Sequence, residues 1–162
     1  MKATFEPIED LCSDYLATYS VYLDDNPITE YEQFYEKEFP NHAEEIKEID
    51  YILYQCTYRG ALSNFFYKHE GAASAIPYVK AEIIEKNTID FGIRLYCIRL
   101  RNDMLILLNG DVKTHIDPAQ CPKVSRHFAL AHRLGRAIDK ALGSRDLIFN
   151  HRECLQGEEI NI

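Results

Sequence analysis

The sequence predicts an α+β protein, in which a small antiparallel sheet packs against helices and an N-terminal helical extension precedes the sheet. Three observations support this fold class. Residues 93–100 alternate between two sets of side chains, as strands do. Residues 104–108 form a continuous apolar run of strand length. Apolar residues then recur every three to four positions over residues 124–142, as they do along one face of a helix.

A hairpin is predicted over residues 92–110, followed by a short strand over 112–116. One face of its first strand carries Ile93, Leu95 and Cys97, and the other carries Arg94, Tyr96, Ile98 and Leu100. Arg101-Asn102-Asp103 tolerates turn geometry between the strands, and Asn109-Gly110-Asp111 is expected to close the second strand. Because residues 104–108 are apolar throughout, we expect that strand to be buried on both faces.

A helix is predicted to cover this sheet. Asp117-Pro118 and Cys121-Pro122 are helix start signals, and Gly143 is expected to end the helix. Most polar positions along it are cationic: Lys123, Arg126, Arg133, Arg136 and Lys140.

The N-terminal part of the chain predicts three amphipathic helices, over residues 7–23, 29–39 and about 42–62. Tyrosine is frequent there, at Tyr15, Tyr19, Tyr22, Tyr31, Tyr35, Tyr51, Tyr54 and Tyr58. A tyrosine stripe on such helices is more typical of a core edge or a protein-contact surface than of a nucleotide platform. We therefore predict that these side chains pack.

Length and composition favour a single domain over residues 1–162, since 46% of the residues are hydrophobic. Within it we distinguish an acidic helical segment (1–63), a sheet-and-helix unit (64–142) and a tail (143–162). No apolar run reaches the roughly 20 residues of a membrane span, and no secretion signal opens the chain. Five scattered cysteines are expected to be free thiols. These features predict a cytoplasmic protein without a membrane partner.

Charge is unevenly distributed along the chain. The overall net charge is −8, yet residues 1–50 carry 14 acidic and 3 basic side chains, and residues 91–145 carry 10 Lys or Arg against 4 Asp. This asymmetry suggests an anionic partner for the second part, although a solvated charged surface explains it equally well.

The motifs that cradle nucleotides, bind catalytic zinc or form a hydrolase elbow are missing from the sequence, and we predict neither a metal nor a cofactor. What remains is a set of cations beside tyrosines and histidines. Arginine and lysine bind phosphodiester oxygens well, and histidine titrates near neutrality, as acid–base catalysis requires.

Residues 93–138, IRLYCIRLRNDMLILLNGDVKTHIDPAQCPKVSRHFALAHRLGRAI, resemble the carboxy-terminal half of the RelE/HigB-like toxins of bacterial type II toxin–antitoxin systems. The similarity extends over about 64–142. It implies a RelE-like sheet flanked by helices and metal-independent cleavage of messenger RNA, with the ribosome as one setting. By position, Arg94 and Lys113 match phosphate-binding residues of that family, and His115 and Arg126 are further carry-overs.

Two functions are kept as hypotheses. The first is a toxin-like endoribonuclease, with Arg94, Lys113, His115 and Tyr96 as catalytic residues and with Arg99, Arg101, Arg126, Arg133 and Lys68 binding RNA. Its partners would be a cognate antitoxin and RNA or the ribosome. The second is a catalytically degenerate RelE-like protein that binds another protein through its aromatic helices. Self-association is left open in both.

Overall fold

The computed structural model describes residues 1–68, 73–76, 82–83, 89–151 and 153–162, with the backbone alone at 67–68, 82–83, 89–90 and 153–156. The helices of the described chain are α1 (Glu30–Glu36), α2 (Ala43–Arg59) and α3 (Ser125–Ser144). Its strands are β1 (Lys2–Pro7), β2 (Ala17–Leu23), β3 (Tyr67–Lys68), β4 (Ala73–Ile76), β5 (Glu82–Ile83), β6 (Ile89–Asp90), β7 (Ile93–Arg101), β8 (Met104–Val112), β9 (Ile148–Asn150), β10 (Glu153–Gln156) and β11 (Glu159–Asn161).

Seven of the described strands form one mixed sheet, in the order β11-β1-β2-β8-β7-β4-β3. Each neighbouring pair is antiparallel except β2 and β8, which run parallel. The α+β class is therefore confirmed. The prediction of a small and wholly antiparallel sheet is wrong, because two strands from the N-terminal segment and one from the tail extend the sheet beyond β8.

The predicted helix over residues 7–23 is wrong, because strands β1 and β2 and a short 3-10 turn occupy this region. Leu16, Tyr19 and Leu23 fit a helical period, but Ala17, Tyr19 and Val21 also fit a period of two. All of β2 from Ala17 to Val21 is buried. Strand β8 pairs with residues 17–19 and strand β1 with residues 19–23, so pairing with these two strands decides for the period of two.

The β7–β8 hairpin is confirmed, and β8 is buried on both faces from Met104 to Gly110. Its second strand does not close at Asn109-Gly110-Asp111 but continues to Val112, and no strand follows over residues 113–116. At Gly110 the backbones of β7 and β8 instead lie close together, since a Cβ there would lie 1.7 Å from the carbonyl oxygen of Arg94. The register with β7 shifts next to this position, so the glycine marks a bulge rather than a turn.

Helices cover both faces of the hairpin. On one face, Tyr96 and Ile98 join Ala131, Leu134 and Ile138 of α3 in one core. On the other, Leu95 and Cys97 pack with residues of α2, of which Ile49, Leu53 and Cys56 are buried. The predicted helices over 29–39, 42–62 and 124–142 are confirmed within a few residues. Helix α3 extends one residue past Gly143, and Arg145 follows it in the left-handed conformation at φ 63°.

None of the helices in the described ranges is long and apolar enough to cross a membrane.

The pairing of β2 with β8 covers only three residues of each strand, from Ala17↔Met104 to Tyr19↔Ile106. Beyond that point the Ser20 hydroxyl donates to the Leu107 carbonyl at 2.9 Å and accepts from the Tyr31 N–H at 3.1 Å. Helix α1 thus fills the opening between the two strands, and Ser20 links it to both.

We expect Gly110→Ala to lower the free energy of unfolding by about 2–3 kcal/mol, because the added methyl group overlaps the β7 backbone. Gly143→Ala is the matched control, since nothing lies within 4 Å of a Cβ there, and a helical alanine should stabilise by up to about 1 kcal/mol. Urea denaturation measures both. Equal stability of the Gly110→Ala variant and the wild type would contradict the bulge geometry.

Candidate functional site

The two principal residues of the predicted phosphate site, Arg94 and Lys113, lie at the open end of the β7–β8 hairpin. They are only 5% and 8% exposed. The Lys113 ammonium lies 5.5 Å from the centre of the Phe91 ring. Burial, reinforced by the charge of Arg94, lowers the pKa of Lys113. The two cations are thus close enough to influence each other, and protein atoms cover both.

The acidic N-terminal segment contributes a carboxylate at this position. A Cβ added to Gly92 would lie 2.3 Å from Glu45 Oε1 and 3.8 Å from Arg94 Nη1, so both groups border the same small space. Glu45 belongs to α2, and its other oxygen lies 2.8 Å from His42 Nδ1. Arg94 Nη1 also donates to the Ile93 carbonyl at 2.9 Å. Arg94 is therefore held where helix α2 meets the hairpin.

Cys121 is a completely buried thiol whose charge state influences Lys113. Although burial raises its pKa, hydrogen bonds from Thr114 and from the backbone at Val124 and Lys123 lower it to about 6. Its thiolate in turn raises the pKa of Lys113. As predicted, Cys56, Cys97 and Cys121 are free thiols. The Sγ of Cys12 lies 3.5 Å from the Thr18 carbonyl oxygen, and the Cys154 side chain lies outside the described residues.

The two proposed proton-transfer residues occupy different environments. Tyr96 is completely buried against α3, with its ring centre 6.1 Å from that of Phe128, and burial raises the pKa of its hydroxyl. His115 is exposed beyond the end of β8, where its Nδ1 lies 3.1 Å from Thr114 Oγ1. A substrate outside the protein cannot contact Tyr96 in this conformation.

The predicted RNA-binding residues do not converge. Arg99 and Arg101 lie at the closed end of the hairpin, about 15–25 Å along the strand from Arg94 at roughly 3.3 Å per residue. Arg99 donates to the Ala61 carbonyl and to Asn102, and Arg101 pairs with Asp103 at 3.0 Å. Arg126 and Arg133 are exposed on α3. The Lys68 side chain lies outside the described residues.

Lys37, which sequence reasoning did not select, is a structural cation. Its ammonium donates to Asn109 Oδ1 at 2.7 Å and to the Gly110 carbonyl at 2.6 Å, and lies 3.4 Å from His127 Nε2. Burial lowers its pKa. Burial also lowers the pKa of His127 to about 3, with help from the charges of Lys37 and Arg126. Lys37 thus supplies a hydrogen-bond donor to the part of β8 that β2 leaves unpaired.

A concave surface that carries polar and aromatic groups together lies elsewhere, between α2 and the segment that precedes β2. It encloses about 600 Å³. We name it the tyrosine groove and define it by three aspartates and four tyrosines: Asp10, Asp14, Asp50, Tyr15, Tyr31, Tyr54 and Tyr58. Tyr15, Tyr54 and Tyr58 are 63%, 55% and 59% exposed. These rings therefore present apolar faces to solvent instead of packing as predicted.

Hydrogen bonds hold the two walls of the groove together. The Ser13 hydroxyl donates to the Thr57 carbonyl near the end of α2 at 2.6 Å, and accepts from the Tyr15 N–H at 3.1 Å. On the other side of this segment, His151 Nε2 lies 2.7 Å from the Ser13 carbonyl oxygen. Ser13 thereby fixes the position of Tyr15 relative to α2.

The groove's own side chains are also ordered by contacts with one another. The rings of Tyr54 and Tyr58 lie 4.9 Å apart and their hydroxyls 3.1 Å apart. Tyr35 donates its hydroxyl to Asp50 at 2.5 Å, and its ring lies 5.0 Å from that of Tyr31. Tyrosine spacing along α2 was visible in the sequence, but the concave shape depends on a segment far away in the chain.

Electrostatically the groove is negative. Within the described ranges, its lining includes three carboxylates and no lysine, arginine or histidine. Asp50 accepts its hydrogen bond from an uncharged phenol, so its negative charge is oriented but not neutralised by that contact. The arrangement favours a cationic or aromatic group over an anion.

We expect Arg94→Ala to lower the free energy of unfolding by about 3 kcal/mol, because it leaves a cavity in place of a buried side chain and removes the hydrogen bond to the Ile93 carbonyl. Arg101→Ala is the control, since its ion pair is exposed and should contribute less than about 1 kcal/mol. Both values come from urea denaturation. If the two variants lose equally little stability, the buried environment of Arg94 is refuted.

Stability should fall on acidification partly through His127. Its pKa is about 3 in the folded protein and about 6.5 when unfolded, so between these values the unfolded chain binds more protons and stability rises with pH. His127→Gln should therefore reduce the stability lost between pH 7 and 4.5 by about 2 kcal/mol. Urea denaturation at each pH measures this. Substitution of the exposed His115 by Gln is the control and should leave the wild-type dependence intact.

In the part of the chain that the structure describes, no group of three or more His, Cys, Asp or Glu side chains could hold a metal ion. Comparisons of the chain with protein-family models, with curated proteins and with solved structures find no match. A function for this chain therefore has to be inferred from its own geometry.

Proposed function

We propose that this chain is a protein-binding module that holds a partner protein in the tyrosine groove and carries out no chemistry on it. The observation that carries the proposal is the set of three tyrosine rings, each more than half exposed, around a concave surface. Tyrosine is enriched at protein interfaces because one side chain supplies both an apolar ring and a hydrogen-bonding hydroxyl.

The groove is organised before a partner arrives, which favours binding. Tyr54 and Tyr58 already contact each other, and Ser13 already fixes the segment that carries Tyr15. A rigid aromatic side chain loses little conformational entropy when it is covered, so more of the contact free energy contributes to affinity. The volume of about 600 Å³ suits several side chains of a short segment.

The toxin-like RNA-cleaving function stays a prediction, as do the RelE-like identity of the fold, the cognate antitoxin and the ribosome as a partner. It requires phosphate to contact Arg94 and Lys113, and both are nearly enclosed by protein. The protein-binding function needs no such rearrangement, since its residues are already exposed. We therefore prefer the latter.

A random peptide library displayed on phage tests the proposal. Peptides enriched on the wild-type protein should bind the Tyr54→Ala/Tyr58→Ala variant at least tenfold more weakly, since truncation of a central interface tyrosine costs about 1–2 kcal/mol or more. Dissociation constants of synthetic copies of those peptides provide the measurement. Circular dichroism and urea denaturation establish that the variant remains folded.

Tyr51→Ala is the matched control, because Tyr51 is an exposed tyrosine of the same helix, 62% accessible, and does not line the groove. It should bind the selected peptides as the wild type does. The proposal fails if no enriched peptide depends on Tyr54 and Tyr58, or if Tyr51→Ala weakens binding to the same extent.

A further inference from the structure

The lining of the tyrosine groove has a definite charge character. Asp10, Asp14 and Asp50 contribute carboxylates, while no lysine, arginine or histidine is among the lining residues that the structure describes. The aspartates lie on both walls, since Asp10 and Asp14 precede β2 and Asp50 belongs to α2. A ligand in the groove is therefore flanked by negative charge.

The aromatic rings add a second, independent preference for cations. The face of a tyrosine ring carries partial negative charge and attracts a lysine ammonium or arginine guanidinium within about 6 Å. The protein uses this contact internally, where the Lys113 ammonium lies 5.5 Å from the centre of the Phe91 ring. In the groove Tyr54 and Tyr58 are more than half exposed and line the same surface as Asp50. Ring faces and carboxylates thus favour the same kind of ligand.

Long-range electrostatics points in the same direction. Residues 1–50, which supply all three groove aspartates, carry 14 acidic and 3 basic side chains. Such a field attracts a cationic segment and accelerates its association, and it repels nucleic acid and acidic peptides.

From this charge complementarity we infer that the occupant of the tyrosine groove is a cationic segment of the partner protein, with a lysine or arginine side chain over Tyr54 and Tyr58 and its charge against Asp50. This inference rests on the proposed function and adds the chemistry of the partner. The Asp50 carboxylate, oriented by Tyr35, is placed to accept hydrogen bonds from a guanidinium or an ammonium. Asp10 and Asp14 attract further cations of the same segment.

Three synthetic peptides test the inference. Each has ten residues of Gly and Ser with three evenly spaced positions occupied by arginine, by its uncharged isostere citrulline, or by glutamate. NMR titration of the labelled protein measures the dissociation constants and identifies the residues that respond. We expect the arginine peptide to shift residues of the groove, the citrulline peptide to bind at least tenfold more weakly, and the glutamate peptide not to bind. The arginine affinity should decline as salt rises.

Charge-neutralising variants separate the groove from the overall charge. Asp10→Asn/Asp14→Asn/Asp50→Asn preserves side-chain shape and should weaken the arginine peptide at least tenfold. The control is Asp25→Asn/Glu48→Gln/Asp139→Asn, which removes the same number of charges from exposed positions outside the groove. It should retain wild-type affinity.

The outcomes distinguish this inference from the proposed function. If the phage-selected peptides depend on Tyr54 and Tyr58 but lack lysine and arginine, and citrulline binds as well as arginine, the cationic occupant is refuted while the binding module stands. If the two triple variants weaken binding equally, net charge rather than the groove explains the affinity and the inference fails. If no peptide binds at the groove, both proposals fail.

Discussion

A hairpin buried on both faces imposes one requirement on the rest of this protein, namely that each of its backbone polar groups needs a partner away from water. Strand β4 meets this requirement beside β7. Beside β8, strand β2 pairs with only three residues, from Met104 to Ile106. The Ser20 hydroxyl and the Lys37 ammonium then bond to the carbonyls of Leu107 and Gly110. Helix α1, which lies between those two side chains in the chain, is positioned by this need.

The same hairpin also determines where the tyrosine groove lies. At its turn, the Asp103 carbonyl accepts from the N–H of Ala17, where β2 begins, and the Asn102 carbonyl accepts from Ala61, just after α2 ends. Gly60 makes this junction feasible, because its φ of 79° suits glycine and a Cβ there would lie 2.5 Å from the Asn102 oxygen. The two walls of the groove are thus attached to one turn of the core, so its shape is as rigid as the sheet.

Sequence periodicity predicted an element correctly where a single covering layer determined which of its residues are buried. The alternation of Leu95 and Tyr96 and the helical spacing over 124–142 each required only a covering layer, and both predictions hold. Residues 7–23 fit two periods, and the choice depended on β8 being available as a partner, which is tertiary information. Asn109-Gly110 is a strong turn signal in a sequence. Here the missing side chain of Gly110 instead lets β8 lie close to the Arg94 carbonyl of β7. The proximity of Glu45, a residue of a distant helix, to Arg94 beside Gly92 is likewise tertiary information.

The sheet places the positive and negative surface charges on opposite sides, and this distribution relates the fold to the proposed binding. The cations at Arg94 and Lys113 are buried near Glu45 and Cys121, so they contribute little to the surface. The surface cations of α3, Arg126 and Arg133 among them, lie on the opposite side of the sheet from α2. The sheet therefore separates a basic helix face from an acidic groove. A helix face is convex and leaves much of a ligand exposed to water, whereas a groove surrounds a ligand and strengthens each electrostatic contact by excluding solvent. Shape thus favours the acidic side for the proposed binding of a partner.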